Sequence, residues 1–186
     1  MNRTTSLLIA ACVATGVFDV SLRAQKALDY PQWRGHARDG SASGFVEPAS
    51  WPQALKRQWK VDVGEGYATP LVVGDTVYVF TRRDGQEVLT ALDAATGKER
   101  WHSGYAVAYS PSQPTMVHGP GPKATPLFLG GRIFTQGISG IVSGFDASNG
   151  KRVWQTREPA EHPFFSAAAS PAGEQGLMLV HPGNYE

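Results

Sequence analysis

The sequence predicts an all-β chain, part of a β-propeller made of four-stranded antiparallel blades. Three observations predict it. One hairpin pattern returns at a fixed offset, each copy closes a run of strand-like segments, and each run opens with a proline in its first strand.

The hairpin is residues 91–101, Ala-Leu-Asp-Ala-Ala-Thr-Gly-Lys-Glu-Arg-Trp, and it recurs at 144–154 as Gly-Phe-Asp-Ala-Ser-Asn-Gly-Lys-Arg-Val-Trp. Asp93, Gly97, Lys98 and Trp101 return as Asp146, Gly150, Lys151 and Trp154, all at an offset of 53 residues. A fixed period is read first because it decides the architecture. Each residue type has a physical job. An aspartate at a strand end accepts hydrogen bonds from the N–H groups of the following turn. Glycine supplies the positive φ of a short bulged hairpin. Tryptophan opens the return strand with a large flat face for packing on a neighbouring sheet.

The chain has 186 residues and a net charge of +1, which gives no electrostatic case for nucleic acid or an anionic membrane surface. Residues 1–25 read as a signal peptide: Arg3, an apolar stretch over 7–18, and a cleavage region at Leu22-Arg23-Ala24-Gln25. The lone cysteine, Cys12, lies inside that leader. Ile9-Ala10-Ala11-Cys12 resembles a lipoprotein cleavage box, but the apolar run continues past it, so a lipid anchor there is disfavoured. The expected location is therefore periplasmic or secreted, with no transmembrane helix after the leader.

Residues 26–54 read as an irregular arm rich in Gly, Ser and Pro, in which Tyr30-Pro31-Gln32-Trp33-Arg34-Gly35 and Arg38-Asp39-Gly40 stand out. From 55 to 186 the chain reads as about two full blades with a partial blade at each end. Residues 55–63, with Trp59, are expected to be the last strand of a blade whose other strands come from elsewhere. The first full unit has strands at 68–73, 76–81 and 87–92, a tight Gly74-Asp75 turn, a loop at 83–86, and the Trp101 strand. The second repeats this at 124–129, 132–136, 141–145 and the Trp154 strand, with a Gly130-Gly131 turn. A third begins at Ala169 and continues through 177–180. Pro70, Pro126 and Pro171 each follow a small hydroxyl residue (Thr69, Thr125, Ser170). Proline cannot donate to a sheet ladder and belongs at an edge. Repeated blades with an edge first strand and packing tryptophans describe a propeller. Three units do not close a ring, so the sequence reads as a fragment of a longer chain.

Ala-x-Asp-x-x-Thr-Gly-x-x-x-Trp, matched by Ala91, Asp93, Thr96, Gly97 and Trp101, resembles the repeat of the pyrroloquinoline-quinone (PQQ)-like propellers. The second copy departs at Gly144 and Asn149. The resemblance spans about 51–186 and implies an eight-bladed ring with tryptophans docked between blades. That family includes quinoprotein alcohol dehydrogenases, the propeller lipoprotein of the outer-membrane barrel-assembly machinery, and many members of unknown role.

Short turns gather on one face and long connections on the other: 82–86, an insertion at 102–123, a link at 157–165, and 181–185. Binding concentrates on long loops of a rigid scaffold. The binding-face candidates are Arg82, Arg83, Tyr105, Tyr109, His118, Lys123, His162 and His181. The insertion, which also holds His102 and the rigid Gly119-Pro120-Gly121-Pro122, can form a rim over the channel mouth. The loop histidines have no metal-ligand spacing, and no metal site is expected. No catalytic residue stands out, and no cofactor set is visible. In the dehydrogenases a vicinal cysteine pair often lies against the quinone, and here there is none. The favoured function is an exported, non-catalytic module that binds a protein or small molecule on the long-loop face. The alternatives are a dehydrogenase of alcohols or sugars using PQQ with Ca²⁺, and a barrel-assembly factor.

Overall fold

The structure is a computed structural model, and it describes residues 29–42, 44–159 and 163–181. The leader and His162 lie outside those residues. Among the described residues, ten strands form two four-stranded antiparallel sheets and one two-stranded sheet, in sequence order within each. The first blade is β1 (Leu71–Val73), β2 (Thr76–Arg83), β3 (Gln86–Asp93) and β4 (Glu99–Ala106). The second is β5 (Leu127–Leu129), β6 (Arg132–Gln136), β7 (Val142–Asp146) and β8 (Arg152–Gln155). A third begins with β9 (Ala172–Glu174) and β10 (Leu177–Leu179).

The two repeat hairpins share one construction. Asp93 Oδ1 accepts from the N–H of Ala95 and Thr96 and from the Thr96 hydroxyl, and Asp146 Oδ1 accepts from the N–H and hydroxyl of Ser148. Gly97 and Gly150 sit at φ 72° and 74°, where a β-carbon is strained. The register slips at Ala91/Leu92 in one copy and at Gly144/Phe145 in the other, just past the pairs Ala91–Trp101 and Gly144–Trp154. The Gly144 departure has a local reason. A β-carbon there would stand 2.6 Å from Trp154 Nε1.

Between the blades runs one apolar core, in which Leu71, Tyr78, Phe80, Leu89 and Ala91 of the first meet Ile133, Ile141 and Phe145 of the second. Trp101 packs partly buried against it. Its ring also covers Gly150 of the next hairpin, where a β-carbon would lie 2.9 Å from Cδ2. Trp59 covers Gly97 in the same way, at 2.7 Å, and donates its indole N–H to Ala94 O at 3.0 Å.

The first strands adjoin one another, β1 beside β5 and β5 beside β9. The hydroxyl residues ahead of their prolines join them: the Thr69 N–H donates to Thr125 Oγ1 at 3.1 Å, and the Thr125 N–H donates to Ser170 Oγ at 2.9 Å. The arm crosses the same edges with one residue for each blade. Tyr30 exchanges two backbone bonds with Val72 of β1, Pro31 O accepts from the Phe128 N–H of β5, and Gln32 Oε1 accepts from the Gly173 N–H of β9. Edge strands leave unpaired backbone groups. The arm, seated near the Gly74-Asp75 and Gly130-Gly131 turns, covers part of those edges at the short-turn end.

Residues 55–63, expected to pair with strands from elsewhere, meet no partner strand among the described residues and form no strand there; nearby, Glu65 makes an isolated bridge to Arg82. Three expectations need correction. The loop expected at 82–86 is a two-residue turn, Asp84-Gly85 at φ 50° and 76°, which places Arg82 and Arg83 on β2. Strand β4 continues to Ala106, so His102 and Tyr105 belong to a sheet and the insertion begins at Val107. The prolines Pro70, Pro126 and Pro171 immediately precede edge strands that are shorter than expected.

Candidate ligand pocket on the long-loop face

The insertion folds back on the approach to the first blade. Tyr67 and Ala68 both donate their N–H to Pro122 O, and a β-carbon on Gly121 would stand 2.6 Å from the Glu65 carbonyl carbon. Glycine alone allows that closeness. A 3₁₀ turn, Gln113–His118, precedes this strap, with proline in its first turn. Ser112 Oγ donates to Phe164 O at 2.7 Å, tying the insertion to the segment 163–168 at the end of the link.

Between these two segments lies a cavity of about 400 Å³ walled by Tyr67, Pro114, Thr115, His118, Lys123 and Phe165. The walls are mostly apolar, with His118 packed edge-on to Tyr67 at 5.5 Å between ring centres. Lys123 supplies the charge. Its Nζ donates to Ser166 Oγ at 2.9 Å and to Phe165 O at 3.4 Å, and burial pulls its pKa below the ordinary lysine value. Ser166 Oγ also accepts from Tyr109 OH at 3.0 Å. Ser166 is buried and sits at φ 72°, a strained conformation for a residue with a β-carbon.

Of the residues singled out from sequence, Tyr109, His118 and Lys123 meet at or beside this cavity. Arg82 and Arg83 do not. Arg82 Nη2 donates to Val107 O at 2.8 Å and Arg83 Nη2 to Thr90 Oγ1 at 3.2 Å, beside a second, polar hollow with Asp62, Glu65 and Asp84. His181 is exposed, and its carbonyl accepts from Gln136 Nε2. His102 pairs with Glu99 on the outer strand.

Tyr105 is not a rim residue but a buried one, 8% exposed, because it pairs across the strands with Glu87. Glu87 is fully buried. Its carboxylate accepts from Tyr105 OH and from the Ile138 N–H of the second blade, both at 2.6 Å. Burial pushes the Glu87 pKa up, against the pull of those two donors and of Arg82 nearby. A β-carbon at Gly137 would lie 2.8 Å from Tyr105 OH, so the second blade's loop needs glycine there. Sequence reasoning missed this pair. The available signal was parity: Glu87 shares a strand face with Leu89 and Ala91. Among the described residues, no three of His, Cys, Asp and Glu gather as metal ligands.

A family model described as outer membrane protein assembly factor BamB matches residues 51–184. The chain is 26% identical over 185 residues to the quinohemoprotein alcohol dehydrogenase ADH IIB of Pseudomonas putida. That match takes in 95% of this chain and 26% of the relative, so the chain spans about a quarter of that relative's length. Among solved structures, BamB from Moraxella catarrhalis aligns at 25% identity with a TM-score of 0.38, covering 63% of this chain and 29% of that one. A europium-containing methanol dehydrogenase aligns at 20% identity with a TM-score of 0.43, covering 62% and 20%.

Proposed function

The chain belongs to the family of the outer membrane protein assembly factor BamB, and from that premise we propose that it is part of an exported propeller that acts as a binding module. Its ligand enters on the long-loop face. The observation that carries this reading is the cavity between the insertion and the 163–168 segment, at the end of the blades opposite the arm. With Tyr30, Pro31 and Gln32 lying over three inner edges, the long-loop end is the open approach to the axis. In the same reading the tryptophans dock successive blades: Trp59 on the Gly97 hairpin, Trp101 on the Gly150 hairpin, and Trp154 on a third blade. Export rests on the leader at 1–25, and no described helix is long and apolar enough to cross a membrane.

A second reading, a quinoprotein dehydrogenase, is favoured by the likeness to the Pseudomonas putida enzyme over nearly the whole chain. A quinone held with a divalent cation needs a cluster of oxygen ligands. Among the described residues no three of His, Cys, Asp and Glu gather to hold such a cation, and Asp93, Asp146 and Glu87 are engaged in turns and in the core between blades. The described donors therefore do not fit that group.

One experiment separates the two. The full-length protein is screened by thermal shift against small acids, alcohols, sugars and dipeptides, then given PQQ with Ca²⁺ and an electron-accepting dye. A binding module gives stabilising ligands whose effect is lost in Phe165→Ala and kept in Arg132→Ala, a change on the short-turn end. Quinone uptake with dye reduction overturns it in favour of the enzyme.

A further inference from the structure

The chemistry of the cavity walls narrows the ligand, given the binding reading above. Tyr67, Pro114 and Phe165 offer an apolar sleeve, and Tyr67 and Phe165 are each more than half exposed. An apolar pocket of this size with a few fixed polar groups is the usual form of a small-molecule site. Lys123 is its one charged polar group besides the titratable His118. Its ammonium is held by a serine hydroxyl and a carbonyl, and among the described residues no carboxylate pairs with it. Neutral oxygens leave its charge uncompensated, and an ammonium has a further donor to give. Tyr109 and the strained Ser166 hold it in place, which is the arrangement of a positioned group and not of a lysine reaching into solvent.

We propose that the cavity binds a small carboxylic acid with an apolar body, the carboxylate on Lys123 Nζ and the body between Tyr67, Pro114 and Phe165. A charge-assisted hydrogen bond in a partly dry site adds specificity as well as affinity. It also opposes the downward pull of burial on the Lys123 pKa, since a nearby anion favours the charged form.

The test is isothermal titration of the full-length protein with 4-phenylbutyrate and with 4-phenyl-1-butanol, which have the same body. The acid is expected to bind about tenfold tighter or more. Lys123→Met should abolish that preference while keeping the affinity for the alcohol, which also shows that the variant is folded. Equal binding of acid and alcohol, or a preference that survives in Lys123→Met, overturns the assignment. A tripeptide ending in phenylalanine with a free C terminus is the further arm. If it binds tighter than 4-phenylbutyrate and its amidated form does not, the ligand is a chain end and the small-molecule assignment falls. Should both phenyl probes fail while another class of compound still depends on Phe165, only the carboxylate is wrong. If nothing binds this face, the binding reading fails with it.

Discussion

Strand β3 carries a carboxylate near each end, and the two have opposite surroundings. Asp93, at the short-turn end, is partly open to solvent and bonds only within its own blade, to Thr96, Ala95 and Arg100. Arg100 also reaches Asp75 at 2.9 Å, so one guanidinium clamps two turns of the first blade. The Arg100 guanidinium and the Thr96 bonds hold the Asp93 pKa down to about 2. Glu87, at the long-loop end, is buried and reaches out of its blade to the Ile138 N–H, and burial moves its pKa the other way. The difference teaches where each end gets its shape. At the short-turn end the turn bonds are local, and those of the aspartate recur in both repeat hairpins. The long-loop end is made of contacts between segments far apart in sequence, and those contacts do not repeat.

The largest test of that contrast is Trp101→Ala. If the repeated tryptophan also joins blades, the variant should lose about 2–4 kcal/mol, the cost of emptying a partly buried aromatic site. Urea unfolding of the full-length protein measures it. Trp154 is 36% exposed, and its ring rests on Gly144 and Phe134 of its own blade. A loss below about 1 kcal/mol at Trp101 would mean that the tryptophan supports its own hairpin and not the neighbouring blade.

Next in size is Glu87→Gln, read as a pH profile. The ordinary Glu pKa is 4.5 and the folded value lies above it. The folded state therefore holds the proton more tightly than the unfolded chain. Stability from this group is fully present below 4.5 and declines as pH rises through the raised value. Glutamine keeps an acceptor for the Ile138 N–H and cannot ionise, so the difference between wild type and variant should change steadily across that window. A difference that stays flat with pH would show that the burial of Glu87 does not matter energetically.

The same contrast explains what could be read from sequence. Asp93, Gly97 and Trp101 were legible because a turn dictates its own residues and the next copy confirmed them. The edge prolines were legible because a missing N–H excludes the inside of a sheet. At the other end, Tyr109, His118 and Lys123 were reached only through loop length, which points to a face and not to partners. Tyr105 was misplaced because nothing local marks Ala106 as the end of β4. That boundary is set by pairing with Gln86, and Gln86 is fixed by the short Asp84-Gly85 turn that was read as a longer loop. Ser166 could not be found at all, since its strain arises from packing between the link and the insertion.

The smallest expected effect is Asp93→Asn, which removes the charge while keeping the turn's acceptor. The folded pKa of about 2 lies below the ordinary value of 3.8, so the unfolded chain binds the proton more readily. The stability it provides is present above 3.8 and is lost as pH falls toward 2, the reverse of Glu87. Solvent and salt screen a pair this exposed, so the loss in the variant should be slight at neutral pH and shrink as salt is added. Both variants should therefore differ least from wild type at low pH and more as pH rises, but with opposite signs: Asp93→Asn loses stability relative to wild type, whereas Glu87→Gln gains it. Thermal melts of both between pH 3 and 8 check this. If Asp93→Asn keeps its full effect in high salt, its clamp is stronger than an exposed pair allows, and the short-turn end is not held by local turn chemistry alone.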